Sequence, residues 1–166
     1  HDSNPGNAWE GPAGTNTTGW LSIDLGASYD VDDLYFWNGT GSDVQRGVGT
    51  ADIYYSTLAS PDLSCAFPGS DWNLITAAQA FTAIPGGPGP YSVSDIIALD
   101  VTAQHIALDI LSNHGNGGGV TGVNEIQFDG VLASTAAVPE PASIAIWSFL
   151  GLCLAGYGYR RRRRNS

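Results

Sequence analysis

From Trp20 to Gly130 the apolar residues tend to recur at every second position, and no stretch before residue 140 holds a helical spacing for ten residues or more. In WLSIDLG (Trp20–Gly26), Leu21, Ile23 and Leu25 fall on one face, with Trp20, Ser22 and Asp24 on the other. Successive side chains of a strand point to opposite faces, so this period of two predicts a half-buried strand. VDDLYFWN (Val31–Asn38) and TADIYYS (Thr50–Ser56) are rich in aromatic and β-branched residues and read as further strands. WNLI (Trp72–Ile75), SDIIALDV (Ser94–Val101), QHIALDIL (Gln104–Leu111) and VNEIQFDG (Val123–Gly130) complete the set. Turn-forming segments separate them: residues 1–19, IPGGPGP (Ile84–Pro90) and NHGNGGG (Asn113–Gly119). Many short strands between Gly/Pro turns predict an antiparallel β-sandwich or barrel. A body of this length buries about two thirds of its unfolded surface, enough for one core.

The last 29 residues follow different rules. Pro139-Glu140-Pro141 stops any helix from extending backward. Ala142 to Tyr159 is then uncharged for eighteen residues. As a helix it reaches about 27 Å, just enough for a hydrocarbon core of about 30 Å. Arg160, Arg161, Arg162, Arg163 and Arg164 follow, and the positive-inside rule holds them on the cytoplasmic side, with the body outside. The expected layout is therefore a domain over 1–130, a linker over 131–137, and a C-terminal segment over 138–166 with one transmembrane helix, 142–159.

Charge separates the two parts as sharply as hydropathy does. Residues 1–137 carry fifteen carboxylates against one cation, Arg46, and so a formal −14; residues 138–166 carry +4. An acidic body repels phosphate backbones, which excludes nucleic acid as a partner. It suits life outside the cell and attraction of cations. Cys65 lies in a polar loop and Cys153 in the apolar tail, an unsuitable disulfide pair without metal-type spacing. The chain opens at His1 in a polar segment without a signal-peptide pattern, so a processed or truncated product with its export signal upstream is expected. The sequons at Asn16 and Asn38 matter only in a glycosylating pathway.

Two family resemblances follow from particular motifs. DSNPGNAW (Asp2–Trp9), WLSIDLG, FWNGTGSDVQRGVGTADIYYS (Phe36–Ser56), GSDWNLI, and the closing segment from ALDV to QFDG (Ala98–Gly130) occur in an order and spacing that resemble the discoidin or coagulation-factor type C domain. That resemblance implies a galactose-binding-like jelly-roll β-sandwich whose first strand has no counterpart from His1 onward. Asn7 stands where the family has Thr, and Gln104-His105 where Arg-Tyr is common. The Pro-Glu-Pro triplet, apolar run and arginine cluster together resemble the PEP-CTERM sorting signal of Gram-negative bacteria. The resemblance implies recognition by a membrane protease of exosortase type, removal or exchange of the tail, and an exopolysaccharide or biofilm setting.

The family also implies a structural calcium ion held by Asp2, Asn4, Asn7 and Glu125. Calcium takes six to eight hard oxygens, which carboxylates and amides in a turn supply, although the same residues also suit Asx turns. Sugar recognition needs an aromatic platform and polar side chains that fork onto hydroxyls; Trp9, Trp20, Asn38, Arg46, Asn113 and His114 are the candidates, since loops at one end of a sandwich converge. Trp20 and Trp37 also fit as strand-face residues, and Arg46 as an internal partner for a carboxylate. No nucleophile–base or metal spacing surrounds His1, His105, His114 or Cys65, so a catalytic role is not expected. The sequence thus predicts an exported, non-catalytic module that binds a glycan or exopolysaccharide. It would pass through an inner-membrane intermediate to the cell surface or extracellular matrix. The competing expectation is a structural matrix protein without a discrete ligand site.

Overall fold

The computed structural model describes residues 9–11, 18–39, 44–63, 68–84, 92–115 and 120–133, together with Phe149. The chain divides into two compact units, His1–Ala133 and Ser134–Ser166. The first is an antiparallel sheet of six strands: β1 (Trp9–Glu10), β2 (Gly19–Asn38), β3 (Val48–Ser56), β4 (Asn73–Ala80), β5 (Asp95–Asn113) and β6 (Gly122–Leu132). Their hydrogen-bonded order is β1-β6-β2-β5-β3-β4. Of the second unit only Phe149 is described, so the expected helix 142–159, the Pro-Glu-Pro triplet and Arg160–Arg164 lie outside the described residues. No helix among the described residues is long and apolar enough to cross a membrane.

The two longest strands organise the rest. Gly19–Asp24 of β2 pairs with Ile110–His105 of β5, and Tyr29–Phe36 pairs with Ala103–Asp95, with the register broken between Asp24 and Tyr29 and between Val31 and Asp33. A straight strand of twenty residues would run to about 66 Å, so each break bends the ribbon back toward a single core. At the first break Gly26 takes a φ of 80°, and Asp24 Oδ1 accepts its N–H at 2.8 Å. At the second one extra residue belongs to β5, where Asp100 adopts a φ of 50°, a conformation that Asp tolerates better than most residues. The C-terminal half of β2 also pairs with β6, and the C-terminal half of β5 with β3.

Alternate residues from both halves meet in one cluster. Val31, Leu34 and Phe36 of β2 pack with Ile53 of β3 and with Ile97, Leu99, Ile106, Leu108 and Ile110 of β5. Phe36 and Phe81 close the cluster with ring centroids 4.4 Å apart. A smaller cluster of Tyr54, Trp72 and Ala107 lies apart from this core, and Trp72 Nε1 donates to Asp62 O at 3.1 Å.

The structure corrects three expectations drawn from the sequence. The strands foreseen at Trp20–Gly26 and Val31–Asn38 are one continuous strand, and so are those at Ser94–Val101 and Gln104–Leu111. Polar residues between the apolar runs had the look of turns; bulges absorb them without ending the ladder. Residues 1–19 were expected to be loop, yet Trp9–Glu10 pairs with Val123–Gly122. The Trp72–Ile75 strand runs on to Ala80.

That last extension carries local strain. Ala51 pairs with Gln79 but Ile53 with Thr76, so β4 holds an extra residue, and Ala78 takes a φ of 48°. Asp52 Oδ1 accepts its N–H at 2.6 Å. An L-residue in the left-handed region costs about 1–2 kcal/mol, whereas glycine enters it freely. Ala78→Gly is therefore expected to raise unfolding free energy by about 1 kcal/mol in a urea titration. Leu108→Ala in the main core should lower it by about 3 kcal/mol, the usual cost of a cavity at a fully buried leucine.

Candidate functional site

Among the described residues, Asn38, Asn113 and His114 of the expected ligand set come together at one end of the sheet, and a single buried amide organises that end. Asn38, the last residue of β2, is 1% exposed. Its Nδ2 donates to Val48 O at 2.7 Å and Thr82 O at 3.0 Å, and lies 3.3 Å from His114 Nε2. Its Oδ1 accepts from Val48 N at 2.7 Å and Gly39 N at 2.8 Å. One side chain thereby ties the end of β2, the start of β3, the segment after β4 and the turn after β5. Only an amide offers two donors beside an acceptor in this shape. Asn38 was expected at the ligand surface; the structure corrects this, because its polar groups are consumed beneath the surface in holding the loops.

Around this knot the remaining candidates take their places. The backbone of His114 donates to Gly47 O at 3.1 Å, and Gly47 bridges Gly122. A Cβ on Gly47 would stand 2.6 Å from Asn38 Oδ1, so the knot requires a glycine there. Asn113 pairs with Val48 at the end of β5 and accepts from Gly115 N at 3.0 Å. Arg46, in the 3₁₀ turn Val44–Arg46, lies 3.7 Å from Glu10 Oε1, both half-exposed. The internal-partner reading of this cation is the one the geometry displays.

Trp9 and Trp20 come together from different strands. With Gly11, Thr18, Gly19, Ile110 and Thr121 they line a recess of about 240 Å³. The backbone beside it is fixed by Gly11 N donating to Thr121 O at 2.9 Å. The sequence reading missed Thr18, Thr121 and Glu10. Their neighbours across the sheet are far away in the chain, and only the register brings them to the tryptophans.

Trp20 also heads a row across the sheet in which Asp109 and then Asp52 stand side by side. Burial, with Asp52 adding to it, pushes the Asp109 carboxyl above its ordinary value of 3.8. Burial also raises Tyr54, whose hydroxyl is 3.4 Å from Asp52 Oδ2; the Asp52 and Asp109 charges act in the same direction. Beyond this row His105, buried on β5, lies 3.5 Å from Asp24 Oδ1 through Nε2. Of the expected calcium set only Glu125 lies among the described residues; Asp2, Asn4 and Asn7 lie outside them. Glu125 of β6 pairs with Trp37 of β2 and accepts from Gln127 Nε2 at 2.5 Å. Among the described residues no group of three or more His, Cys, Asp or Glu converges on a metal position.

Two consequences are measurable. Asn38→Ala strands buried backbone groups and should cost about 3 kcal/mol in chemical denaturation, and Gly47→Ala about 1–3 kcal/mol through the clash with the same amide. Asp109 has a folded pKa above its unfolded one, so its contribution is present at low pH and is lost as pH rises through the raised value. Asp109→Asn should therefore be the more stable protein at neutral pH, by about 0.5 kcal/mol. Urea titrations at a series of pH values should show that advantage shrinking toward the acid end.

With this geometry in hand, comparison with known proteins bears on both parts of the chain. Residues 137–164 match the PEP-CTERM protein-sorting motif. No curated protein matches the sequence. Among solved structures, the CBM32-3 module from a family 31 glycoside hydrolase of Clostridium perfringens aligns with 78% of this chain and 77% of its own, at 16% identity and a TM-score of 0.54. The family 32 carbohydrate-binding module of Streptococcus pneumoniae EndoD covers 76% and 77%, at 15% identity and 0.52. The F5/8 type C domain of a Bacteroides fragilis protein covers 75% and 74%, at 13% identity and 0.50. Of a whole family 89 glycoside hydrolase from Clostridium perfringens, also similar, the chain spans 12%. The antiparallel sheet of this protein thus has the discoidin-like, F5/8 type C fold, and its C-terminal segment carries a PEP-CTERM sorting motif.

Proposed function

We propose that this protein is an exported, non-catalytic module that binds a neutral sugar residue of a glycan or exopolysaccharide. The observation that carries the reading is the recess in which Trp9 and Trp20 converge beside Thr18 and Thr121. Indole rings supply apolar faces for the C–H side of a pyranose, and threonine hydroxyls are the kind of group that pairs with its hydroxyls. The fold shared with family 32 carbohydrate-binding modules supports the same reading.

Electrostatics narrows the ligand. The body carries one cation, Arg46, and its guanidinium faces Glu10 in a field of formal charge −14. Uronic-acid or sulfated chains would be repelled, so the reading favours neutral glycans. The sorting motif at 137–164 supports delivery to the cell surface or extracellular matrix. In this reading an exosortase-type protease of a Gram-negative bacterium engages Pro139-Glu140-Pro141, while Ala142–Tyr159 holds an inner-membrane intermediate and Arg160–Arg164 stay in the cytoplasm. Calcium belongs to the same proposal as a structural ion. Glu125 would offer a carboxylate to it, and Asp2, Asn4 and Asn7 the further oxygens.

A glycan array probed with the protein should show saturable binding to neutral sugars and least to acidic ones. Trp9→Ala or Trp20→Ala should weaken it by about thirtyfold, the scale of losing one aromatic anchor of about 2 kcal/mol. Absence of binding to any glycan would leave a structural matrix protein instead. Calcium at about a hundredfold over its Kd adds about 2.7 kcal/mol, so a chelator should lower the thermal midpoint by several degrees. An unchanged midpoint would remove the ion from the account. The mass of the mature C-terminus from cells checks sorting: processing removes everything beyond the Pro-Glu-Pro region, and an intact arginine end contradicts it.

A further inference from the structure

We infer that Gly11 and Gly19 set the specificity of the tryptophan recess: their missing side chains leave the space through which a sugar ring reaches Trp9 and Trp20. The inference rests on the sugar-binding reading of that recess and assigns to it two residues that act by what they lack. It begins from a cost. Glycine loses more backbone freedom on folding than any other residue and brings no side chain to pack. In or beside a strand it therefore calls for a reason, such as a special backbone conformation or the close approach of another group.

Elsewhere among the described residues that reason is visible in the fold. Gly26, Gly39 and Gly115 adopt φ values of 80°, 83° and 108°, which other residues rarely take. A Cβ on Gly47 would lie 2.6 Å from Asn38 Oδ1, one on Gly49 would lie 2.8 Å from Asn113 O, and one on Gly130 would collide with Asp30 O. Gly11 and Gly19 meet neither demand. Neither takes a positive φ. A Cβ on Gly11 would rest at ordinary contact distances, 3.5 Å from Thr121 O and 3.6 Å from Trp9 Cη2, and a Cβ on Gly19 would meet nothing within 4 Å. Yet both line the same recess.

The register shows where the absent side chains would stand. Gly19 pairs with Ile110, which is buried and lines the recess, and directly opposed residues of an antiparallel pair share a face. A side chain at 19 would therefore rise beside Ile110 into the opening. At 11 even a methyl group would lie against the Trp9 ring. The two positions differ in a way that binding can read. Alanine at 11 already covers one corner of an indole, whereas alanine at 19 leaves the space around it open and only a longer side chain fills it.

The test titrates the full chain, held in lipid nanodiscs, with the methyl glycosides of glucose, galactose and mannose and follows tryptophan fluorescence. Saturation by at least one of them is expected. Gly19→Leu should weaken it by about thirtyfold, the scale of losing one aromatic anchor, and Gly11→Ala by about tenfold. Gly19→Ala should bind within about twofold of the unaltered chain, as a surface replacement does. Acrylamide should quench the tryptophans of Gly19→Leu less than those of the unaltered chain, a readout of covered indoles that needs no ligand. Thermal midpoints of the three variants should stay level or rise, because replacing glycine in a conformation open to other residues removes freedom from the unfolded chain. Saturation that survives Gly19→Leu overturns the inference and leaves the sugar reading standing. Absence of saturation by all three glycosides overturns both. A midpoint lowered by Gly19→Ala or Gly11→Ala would give the glycines a structural role and overturn the inference as well.

Discussion

Every element of the described domain hangs on the double pairing of β2 with β5. A buried backbone amide or carbonyl without a partner costs as much as a lost hydrogen bond, so two long strands in a small body must stay paired while they bend. They do so by exchanging register at two bulges, and each partner then offers a second edge on which β3 or β6 can dock. The same bends bring Leu34 and Phe36 of one half into the core with Leu108 and Ile110 of the other. The hydrophobic core is thus a consequence of where the ladder breaks as much as of which residues are apolar.

The end of the sheet depends on a second constraint of the same kind. Segments that leave the ladder at Asn38, Val48, Thr82 and His114 still have polar groups to satisfy, and one carboxamide answers most of them. Satisfied polar networks in a low-dielectric interior fix geometry, which gives loops the rigidity that recognition requires. The tryptophan recess lies beside this fixed end, at the crossing of Gly11, Gly19 and Thr121. Its two indoles come from strands that do not pair with each other, an arrangement that only the assembled sheet provides.

On the flank the balance is different. The ladder closes β2 on both sides through much of its length, yet the apolar face of Leu21, Ile23 and Leu25 is only half covered.

The sequence by itself determined the all-β class, the apolar faces of most strands, the acidic body and the sorting motif. These rest on the period of two, on charge and on short contiguous motifs, all of which are local. It also supplied the names of the site residues, but not their roles. Asn38 had the credentials of a ligand residue and is instead an internal tie, because burial and partners across 10 to 76 residues of chain decide what a carboxamide does. The meeting of Trp9 with Trp20 at one recess and the raised Asp109 were likewise settled only by tertiary structure. Each depends on which residues the register sets side by side, and register is a property of the paired sheet that no single strand carries.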